Sequence, residues 1–331
     1  MDALMQWSLS LVLALQNIGG LESVMKFFTF LGSEDFFLLV LPLVYWCVDA
    51  AVGARGAVVL VASVALNGLL KLVFHLPRPY WTDHRVQAMA SETSYGLPSG
   101  HAQNAAALWS FLAAQMKRPW AWAVALALIF FISLSRLYLG VHFLTDSLGG
   151  WIAGGLLLLA FFKWEQAAAA WLRRLSLWPQ IGVALAISLT FLALNAAVLA
   201  ALALTPDPAE WEQNAAAAAP PQPGERAIDP RSPEGPVTSA GLIFGLGAAL
   251  ALRPRARFDA GGPLWKRAVR FVVGIVGDLL LWRGLALVFP DQPLALALIL
   301  RYLRYALTIF WVIYLAPLVF LKTGLAEPLP G

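Results

Sequence analysis

Charge is scarce in this sequence: only 13% of its 331 residues are Asp, Glu, Lys or Arg, against about 25% in soluble domains. Apolar residues make up 60% of the chain, where about 45–50% is usual. These proportions exclude a disordered or coiled-coil chain and nearly exclude a water-soluble monomer. The composition therefore predicts an integral membrane protein, in which one span needs about 20 apolar residues.

Cysteine is almost absent too. The single Cys47 excludes an internal disulfide and a cysteine-based zinc site. The net charge of +4 is small, and the basic residues follow the ends of apolar runs, so we expect no nucleic-acid partner. The distribution of charge along the chain is more informative than its sum.

Nine apolar stretches are candidate membrane spans: 36–52, 57–74, 99–116, 120–137, 142–162, 181–204, 237–252, 269–289 and 294–320. A helical bundle satisfies every backbone polar group in lipid, so the sequence predicts an all-α, polytopic transmembrane bundle. We expect N-terminal interfacial helices in residues 1–35, a membrane core in 36–165 and additional C-terminal spans in 166–331. Residues 205–236 are Pro-rich and acidic and predict a flexible extracytoplasmic loop.

Basic residues indicate the orientation. They are densest between Arg253 and Arg270, after the seventh predicted span, and short basic loops stay on the cytoplasmic side. With that loop inside, the N-terminus and residues 205–236 lie outside. The Ala-, Leu- and Arg-rich composition without sorting motifs favours a bacterial inner membrane.

This alternation brings chemically active residues to the outer boundary. Lys71 and Arg78 follow the second span, Pro98-Ser99-Gly100-His101 opens the third, Arg136 closes the fourth and His142 opens the fifth. Guanidinium forks at Arg78 and Arg136 and the compact charge of Lys71 suit phosphate oxygens. Ser99 is a natural helix cap and Gly100 permits close approach, so the helix start completes an anion cradle.

Two histidines supply nucleophile and proton. His142 and Asp146 are four residues apart and share a helix face, so the carboxylate can hold one imidazole nitrogen as N–H while the other acts as a nucleophile. His101, beside the cradle, can protonate a leaving alkoxide. His75 and His84 have no such context and stay unassigned.

The spacing resembles the three signature motifs of the type 2 phosphatidic acid phosphatase superfamily: Lys71-x6-Arg78-Pro79, Pro98-Ser99-Gly100-His101 and Ser135-Arg136-x5-His142-x3-Asp146. The resemblance implies hydrolysis without metal or cofactor through a phosphohistidine on His142. Asp146 would orient His142, and His101 would protonate the leaving group and then activate water. Phosphoryl oxygens would be bound by Lys71, Arg78, Ser99, Gly100 and Arg136.

The three motifs do not specify the substrate. Arg78-Pro79-Tyr80-Trp81 and Glu92-Thr93 are similar to the glucose-6-phosphatase branch, and Tyr95 to Gln103 is similar to the dolichyl-diphosphate phosphatase branch. We expect an amphiphilic phosphate that arrives from the bilayer. The alternatives are a soluble sugar phosphate, phosphoryl transfer to a second lipid, and a transporter or scaffold that only binds phosphate. We expect a mildly acidic to neutral optimum and resistance to chelators.

Charged residues in the last two apolar stretches need partners at membrane depth. They are Asp278, Arg283, Arg301 and Arg304. An ion pair between neighbouring helices is one interpretation. In the other, Arg301 or Arg304 lines a headgroup pocket and contacts a second phosphate.

Overall fold

The computed structural model describes residues 3–222 and 225–329, and most of these residues are helical. The α-helices are α1 (Ala3–Gln16), α2 (Glu22–Phe30), α3 (Glu34–Cys47), α4 (Ala50–Phe74), α5 (Pro79–Thr82), α6 (Gly100–Met116), α7 (Pro119–Tyr138), α8 (Leu144–Arg173), α9 (Leu177–Leu202), α10 (Ala209–Ala218), α11 (Glu234–Leu252), α12 (Leu264–Leu279), α13 (Leu285–Val288), α14 (Leu294–Phe310) and α15 (Ala316–Lys322). A 3₁₀ turn, Arg253–Ala256, follows α11, and π-helical turns lie at Leu280–Gly284 and Trp311–Leu315. The predicted all-α polytopic fold is confirmed.

The number of described helices that qualify as spans by length and apolar composition is lower than the nine predicted. Within the described residues, seven helices are long and apolar enough to cross a membrane, or eight if α2 and α3, bent by 46° at their junction, form one broken span. Two predicted spans account for the difference, because α3 has 14 residues and α6 has 17. Nine was therefore an approximate count, and the chain is a multi-pass membrane protein.

Contacts divide the chain into two compact units. Unit 1 comprises the residues up to Phe36, Leu66–Leu159 and Asn195–Ser232, and unit 2 comprises Phe37–Ala65, Ala160–Leu194 and the residues from Pro233 onwards. The predicted core 36–165 is thus shared between the two units. The eight residues predicted to form the phosphate-binding and catalytic site, from Lys71 to Asp146, all belong to unit 1.

In unit 1 the N-terminal helices are part of the core. Leu9 and Val12 of α1 are buried in the same hydrophobic cluster as Tyr80 and Trp81. The backbone N–H of Leu144, at the start of α8, donates to the Ser8 hydroxyl at 2.7 Å. Residues 3–36 are thus packed into unit 1, which the prediction of interfacial helices did not include.

A small-residue face of α8 sets the position of α6. A Cβ atom added at Gly150 would lie 2.8 Å from the Ser99 carbonyl oxygen, and one at Gly154 would lie 2.5 Å from the Gln103 carbonyl oxygen. Larger side chains would push the two backbones apart. The backbone N–H of Ser99 also donates to the Asp146 carbonyl at 2.9 Å. The start of α6 and the start of α8 are therefore held in register.

The segment predicted to be a flexible loop is instead folded in its described part, and we call residues 205–222 and 225–232 the strap. It contains α10, whose Trp211 ring lies 6.1 Å from that of Trp81. The Tyr95 hydroxyl donates to Asp207 at 3.0 Å and accepts from Arg231 at 2.9 Å. The prediction missed this because a Pro-rich, acidic composition does not reveal a docking surface.

In unit 2, buried aromatic side chains meet a π-helical turn. Tyr45 and Trp46 donate to the carbonyl oxygens of Ile313 and Val312 at 2.8 and 2.9 Å. A π-helical turn displaces carbonyls from the regular helical ladder, and buried Tyr and Trp side chains need a hydrogen-bond partner. Within the turn Trp311–Leu315, the displaced carbonyl oxygens therefore accept the hydrogen bonds that the two buried side chains need.

Among the charged residues of the last spans, Arg301 has an ion partner, which is Glu234 of α11 at 2.7 Å. Arg301 also donates to the Thr238 hydroxyl at 2.8 Å. This agrees with the first interpretation, a pair between neighbouring helices, although Glu234 was not foreseen as the partner. Arg283 lies over the Trp282 ring at 4.2 Å, and Asp278 is buried.

The α6–α8 contact makes a testable prediction. We expect Gly154→Ala to lower stability by about 1–3 kcal/mol, because the added methyl overpacks a closed contact, and to lower the melting temperature in detergent. Gly155→Ala is the matched control, since a Cβ atom there meets nothing within 4 Å and helical Ala is preferred over Gly by about 1 kcal/mol. Equal melting temperatures for the two variants would contradict this account of the contact.

Candidate active site

The centre of the site is the imidazole of His142, in the loop between α7 and α8. Its Nδ1 lies 3.1 Å from Asp146 Oδ2, and Arg78 Nη1 lies 3.1 Å from its Nε2. A guanidinium only donates hydrogen bonds, so Nε2 must be the unprotonated nitrogen. The proton is then on Nδ1, where it is donated to Asp146. The predicted arrangement of one N–H nitrogen and one free nitrogen follows from these contacts.

Asp146 is fixed by the backbone as well. Its Oδ2 accepts a hydrogen bond from the Phe143 N–H at 2.9 Å, which closes the first turn of α8 around the carboxylate. The carboxylate is buried. Its orientation toward His142 is therefore set by the helix start, and the spacing of four residues supplies the alignment.

Arg78 is fully buried and holds two loops together. Its Nε and Nη2 donate to the carbonyl oxygens of Ser94 and Tyr95 at 2.6 and 3.1 Å, and its Nη1 donates to that of Val141 at 2.9 Å. The sequence predicted a fork for phosphate oxygens. In this structure most of its donors instead fix the backbone around His142, while its positive charge remains beside Nε2.

Burial and this guanidinium determine the protonation of His142. Both disfavour the imidazolium cation, and together with Lys71 they hold the pKa of His142 well below its ordinary value. The imidazole is therefore neutral near neutral pH, which is the form that can act as a nucleophile.

Arg136 and Lys71 lie near an acidic residue, Glu92, to which the sequence motifs assign no role. Arg136 forms an ion pair with Glu92 and donates to the Thr29 hydroxyl at 2.6 Å. The second Glu92 oxygen lies 3.8 Å from Arg78 Nη2. Lys71 Nζ donates to the Ser94 hydroxyl at 2.8 Å. One short loop, residues 92–95, thus contacts all three predicted phosphate-binding cations.

The start of α6 has the form expected of an anion cradle. Ser99 is the N-cap residue, but its hydroxyl makes no capping bond and, although buried, has no hydrogen-bond partner within the described residues. The first N–H groups of a helix lack partners inside the helix. Asn67 braces the turn by donating to the Pro98 carbonyl and the Gln103 side chain at 3.1 and 2.9 Å, and a Cβ atom at Gly100 would lie 3.0 Å from its amide oxygen.

His101 lies in the same group of residues. It interacts electrostatically with Glu92, Arg136 and His142, and Gly32 approaches its ring from the N-terminal segment. The structure thus brings together all eight predicted site residues: Lys71, Arg78, Ser99, Gly100, His101, Arg136, His142 and Asp146.

Four polar residues of the site were not assigned by sequence: Thr29, Asn67, Glu92 and Ser94. The pair Glu92-Thr93 was noted only for its similarity to the glucose-6-phosphatase branch. Asn67 lies four residues before Lys71 on the same helix face, and this spacing was the one sequence signal that could have identified it. In the part of the chain that the structure describes, no group of three or more His, Cys, Asp or Glu side chains has the geometry of a metal site.

Comparison with known proteins places these residues in a family. Residues 53–170 match the model described as the PAP2 superfamily, and residues 237–328 match the one described as PAP2 superfamily phosphatase, transmembrane extension. Sphingosine-1-phosphate phosphatase 2 of Mus musculus is 31% identical over 146 residues, which cover 42% of this chain and 41% of that protein. The chain thus spans less than half of that relative.

A curated bacterial protein and a bacterial crystal structure are also similar. Phosphatidylglycerophosphatase B of Bacillus subtilis (strain 168) is 31% identical over 157 residues, which cover 43% of this chain and 72% of that protein. The crystal structure of a transmembrane PAP2 type phosphatidylglycerolphosphate phosphatase from Bacillus subtilis matches with a TM-score of 0.44 and 25% identity, over 50% of this chain and 88% of that chain. With two family models matched in order and most of one relative covered, the chain belongs to the PAP2 superfamily.

Proposed function

We propose that this protein is a metal-independent membrane phosphatase that hydrolyses a lipid phosphate through a phosphohistidine on His142. The observation that carries the proposal is the imidazole held between Asp146 at Nδ1 and Arg78 at Nε2. This arrangement fixes the tautomer, keeps the ring neutral and leaves a nucleophilic nitrogen beside a cluster of cations.

In the first half of the reaction, the Nε2 lone pair attacks phosphorus and the bond to the ester oxygen breaks. His101 donates a proton to the departing alkoxide, which leaves as an alcohol. Protonation of His101 is favoured when a phosphoryl dianion enters the site, because a nearby negative charge stabilises imidazolium. The Nδ1 proton stays directed at Asp146 throughout.

In the second half, His101 accepts a proton from water as the water oxygen attacks phosphorus. The P–N bond breaks, the electron pair returns to Nε2 and inorganic phosphate is released. The two steps together consume one water and regenerate both histidines. No redox change or metal ion is needed for this balance.

Stabilisation of the transition state is assigned to fixed positive charge. Lys71, Arg78 and Arg136 would face the phosphoryl oxygens, and the N–H groups at the start of α6 would add dipoles under the positive helix end. The unpartnered Ser99 hydroxyl is a further donor for one oxygen. These groups supply the charge neutralisation that a metal ion provides in other phosphatases.

The proposed substrate class is an amphiphilic phosphate, such as a phospholipid phosphomonoester, a sphingoid phosphate or a polyprenyl diphosphate. The multi-pass membrane architecture and the lipid substrates named for the two curated relatives support it. We assign the site to the outer face of the membrane, from the cytoplasmic placement of the basic loop, and the chain to a bacterial inner membrane, from its composition.

The covalent step is the first point to test. We expect His142→Ala to lower turnover by at least about a thousandfold, since the removal of a catalytic nucleophile has effects of this size or larger. Brief incubation with ³²P-labelled substrate and quenching in alkali should label the wild-type protein and leave His142→Ala unlabelled. His101→Ala should still take up label from a substrate with a good leaving group and lose it more slowly.

Exposed His84 provides the matched control, because His84→Ala removes an imidazole outside the site. It should retain both labelling and turnover. Full turnover of every phosphate ester by His142→Ala would disprove the mechanism and favour a binding or transport role.

The substrate class predicts a second outcome. In detergent micelles, we expect kcat/KM for a long-chain phosphomonoester to exceed that for glucose 6-phosphate by at least about a hundredfold, because burying a chain adds about 0.8 kcal/mol per CH₂. Phosphate release from both classes should be measured. Similar values would support a soluble sugar phosphate, and label transferred to an added lipid alcohol would identify a phosphotransferase.

The lowered pKa of His142 predicts the acidic limb of the pH profile. A depressed pKa keeps the nucleophile neutral at lower pH, so kcat/KM, corrected for substrate ionisation, should not fall between about pH 7.5 and 6. The profile should be measured with a substrate of known second phosphate pKa. A loss of activity centred near the ordinary imidazole pKa of about 6.5 would contradict the account of His142.

A further inference from the structure

Glu92 lies where the proposed mechanism requires the phosphoryl group to bind. Its carboxylate is ion-paired to Arg136 and lies 3.8 Å from Arg78 Nη2. It also interacts electrostatically with Lys71 and His101. Within unit 1, the carboxylate therefore faces the same four cationic or ionisable groups that the mechanism assigns to the phosphoryl oxygens and the leaving group.

The backbone at Glu92 is anchored independently of its side chain. The Tyr80 hydroxyl donates to the Glu92 carbonyl at 2.8 Å and accepts from the Glu92 N–H at 3.0 Å. The Glu92 side chain is 29% exposed, so it has an open side. The side chain can therefore rotate away from Arg136 while the loop stays in place.

The carboxylate is ionised in this position. Burial alone would raise the pKa of Glu92, but the adjacent Arg78 and Arg136 guanidiniums outweigh it and hold that pKa well below its ordinary value. A phosphoryl dianion and an ionised carboxylate at the same guanidinium repel each other, and the repulsion is stronger in a partly buried site than in water. Simultaneous binding of both at Arg136 is therefore unfavourable.

We propose that Glu92 is an internal competitor for the phosphoryl group: its carboxylate pairs with Arg136 in the substrate-free protein, leaves when the phosphoryl group binds, and returns as phosphate departs. The inference rests on the proposed function, since it uses the same cationic cradle. Glu92 thereby weakens the binding of substrate and product and keeps the product from occupying the site. It touches the phosphate-binding cation rather than the reacting atoms.

A purely positioning role for Glu92 predicts the opposite effect on phosphate binding. If its carboxylate only held Arg136 in place, its removal would loosen the guanidinium and weaken anion binding. Arg136 already has a second anchor in the Thr29 hydroxyl at 2.6 Å, so the guanidinium stays tethered without Glu92. The sign of the change in phosphate affinity therefore separates the two roles.

The experiment is equilibrium binding of ³²P-orthophosphate to the purified, detergent-solubilised full chain. We expect Glu92→Gln to lower the dissociation constant by about tenfold, the size of one charge-assisted contact of about 1.4 kcal/mol. Glu92→Asp keeps the charge on a shorter side chain and should give an intermediate constant. This ordered series also guards against a single misfolded variant.

Glu34→Gln is the matched control. Glu34 interacts electrostatically with Glu92 and Lys71, yet it forms no ion pair with Arg78 or Arg136 in the described part of the chain. Its substitution makes the same carboxyl-to-carboxamide change in the same region without removing an ion partner of Arg78 or Arg136. It should change the dissociation constant by less than about twofold, as expected for a screened, longer-range interaction.

An unchanged or higher dissociation constant in Glu92→Gln would overturn the inference, as would an equal gain in Glu34→Gln. Because the measurement needs no turnover, its outcome is separable from that of the catalytic proposal. Full activity of His142→Ala would disprove the phosphohistidine mechanism, whereas the orthophosphate series would still decide whether Glu92 competes for the cradle.

Discussion

The hydrogen-bonded line from Arg78 through His142 to Asp146 is the interaction on which the site depends. Arg78 Nη1 contacts Nε2 of the imidazole, and Asp146 receives its Nδ1 proton. The remaining donors of Arg78 satisfy buried carbonyls in the loop before α6 and the loop before α8. An unpaired buried carbonyl costs about 1–3 kcal/mol. The guanidinium is therefore a structural centre as well as a charge, and Lys could not replace its planar set of donors.

How much of the site could be predicted depends on whether spacing or tertiary contact fixes each residue. The spacing of four residues correctly paired His142 with Asp146, but His142 precedes α8, so they meet across the start of the helix and not on a shared helix face as predicted. Ser99 and Gly100 lie at a helix start that the Pro-Ser-Gly sequence indicates. Glu92 and Ser94 were missed because they belong to an irregular loop before α6, where no periodicity indicates which side chains point inward. Thr29 is a long-range contact that spacing cannot reveal.

The fold shows the same division between local and long-range information. Apolar length located α7, α9 and α11 closely, since a membrane span is a local property of the sequence. It also found α4 and α8, although α4 begins before the predicted residue 57 and α8 continues past the predicted residue 162. The same rule is less exact at α3 and α6, whose 14 and 17 helical residues are fewer than the about 20 of a full span. It also left residues 205–236 as a flexible loop, although the described part is tied to unit 1 through Asp207 and Arg231. Amino-acid composition alone does not reveal a contact that depends on so few polar side chains.

Charge balance connects the resting structure to the proposed cycle. Lys71, Arg78 and Arg136 are like charges gathered around Glu92, and burying such a cluster without an anion is costly. Glu92 provides that anion in the substrate-free protein. In the proposed cycle the substrate, the phosphohistidine and the product provide it in turn, so that each step exchanges one anion for another. In that cycle the site has to hold phosphate weakly enough to release it. The Glu92 carboxylate would weaken phosphate binding without removing any cation that the proposed transition state needs.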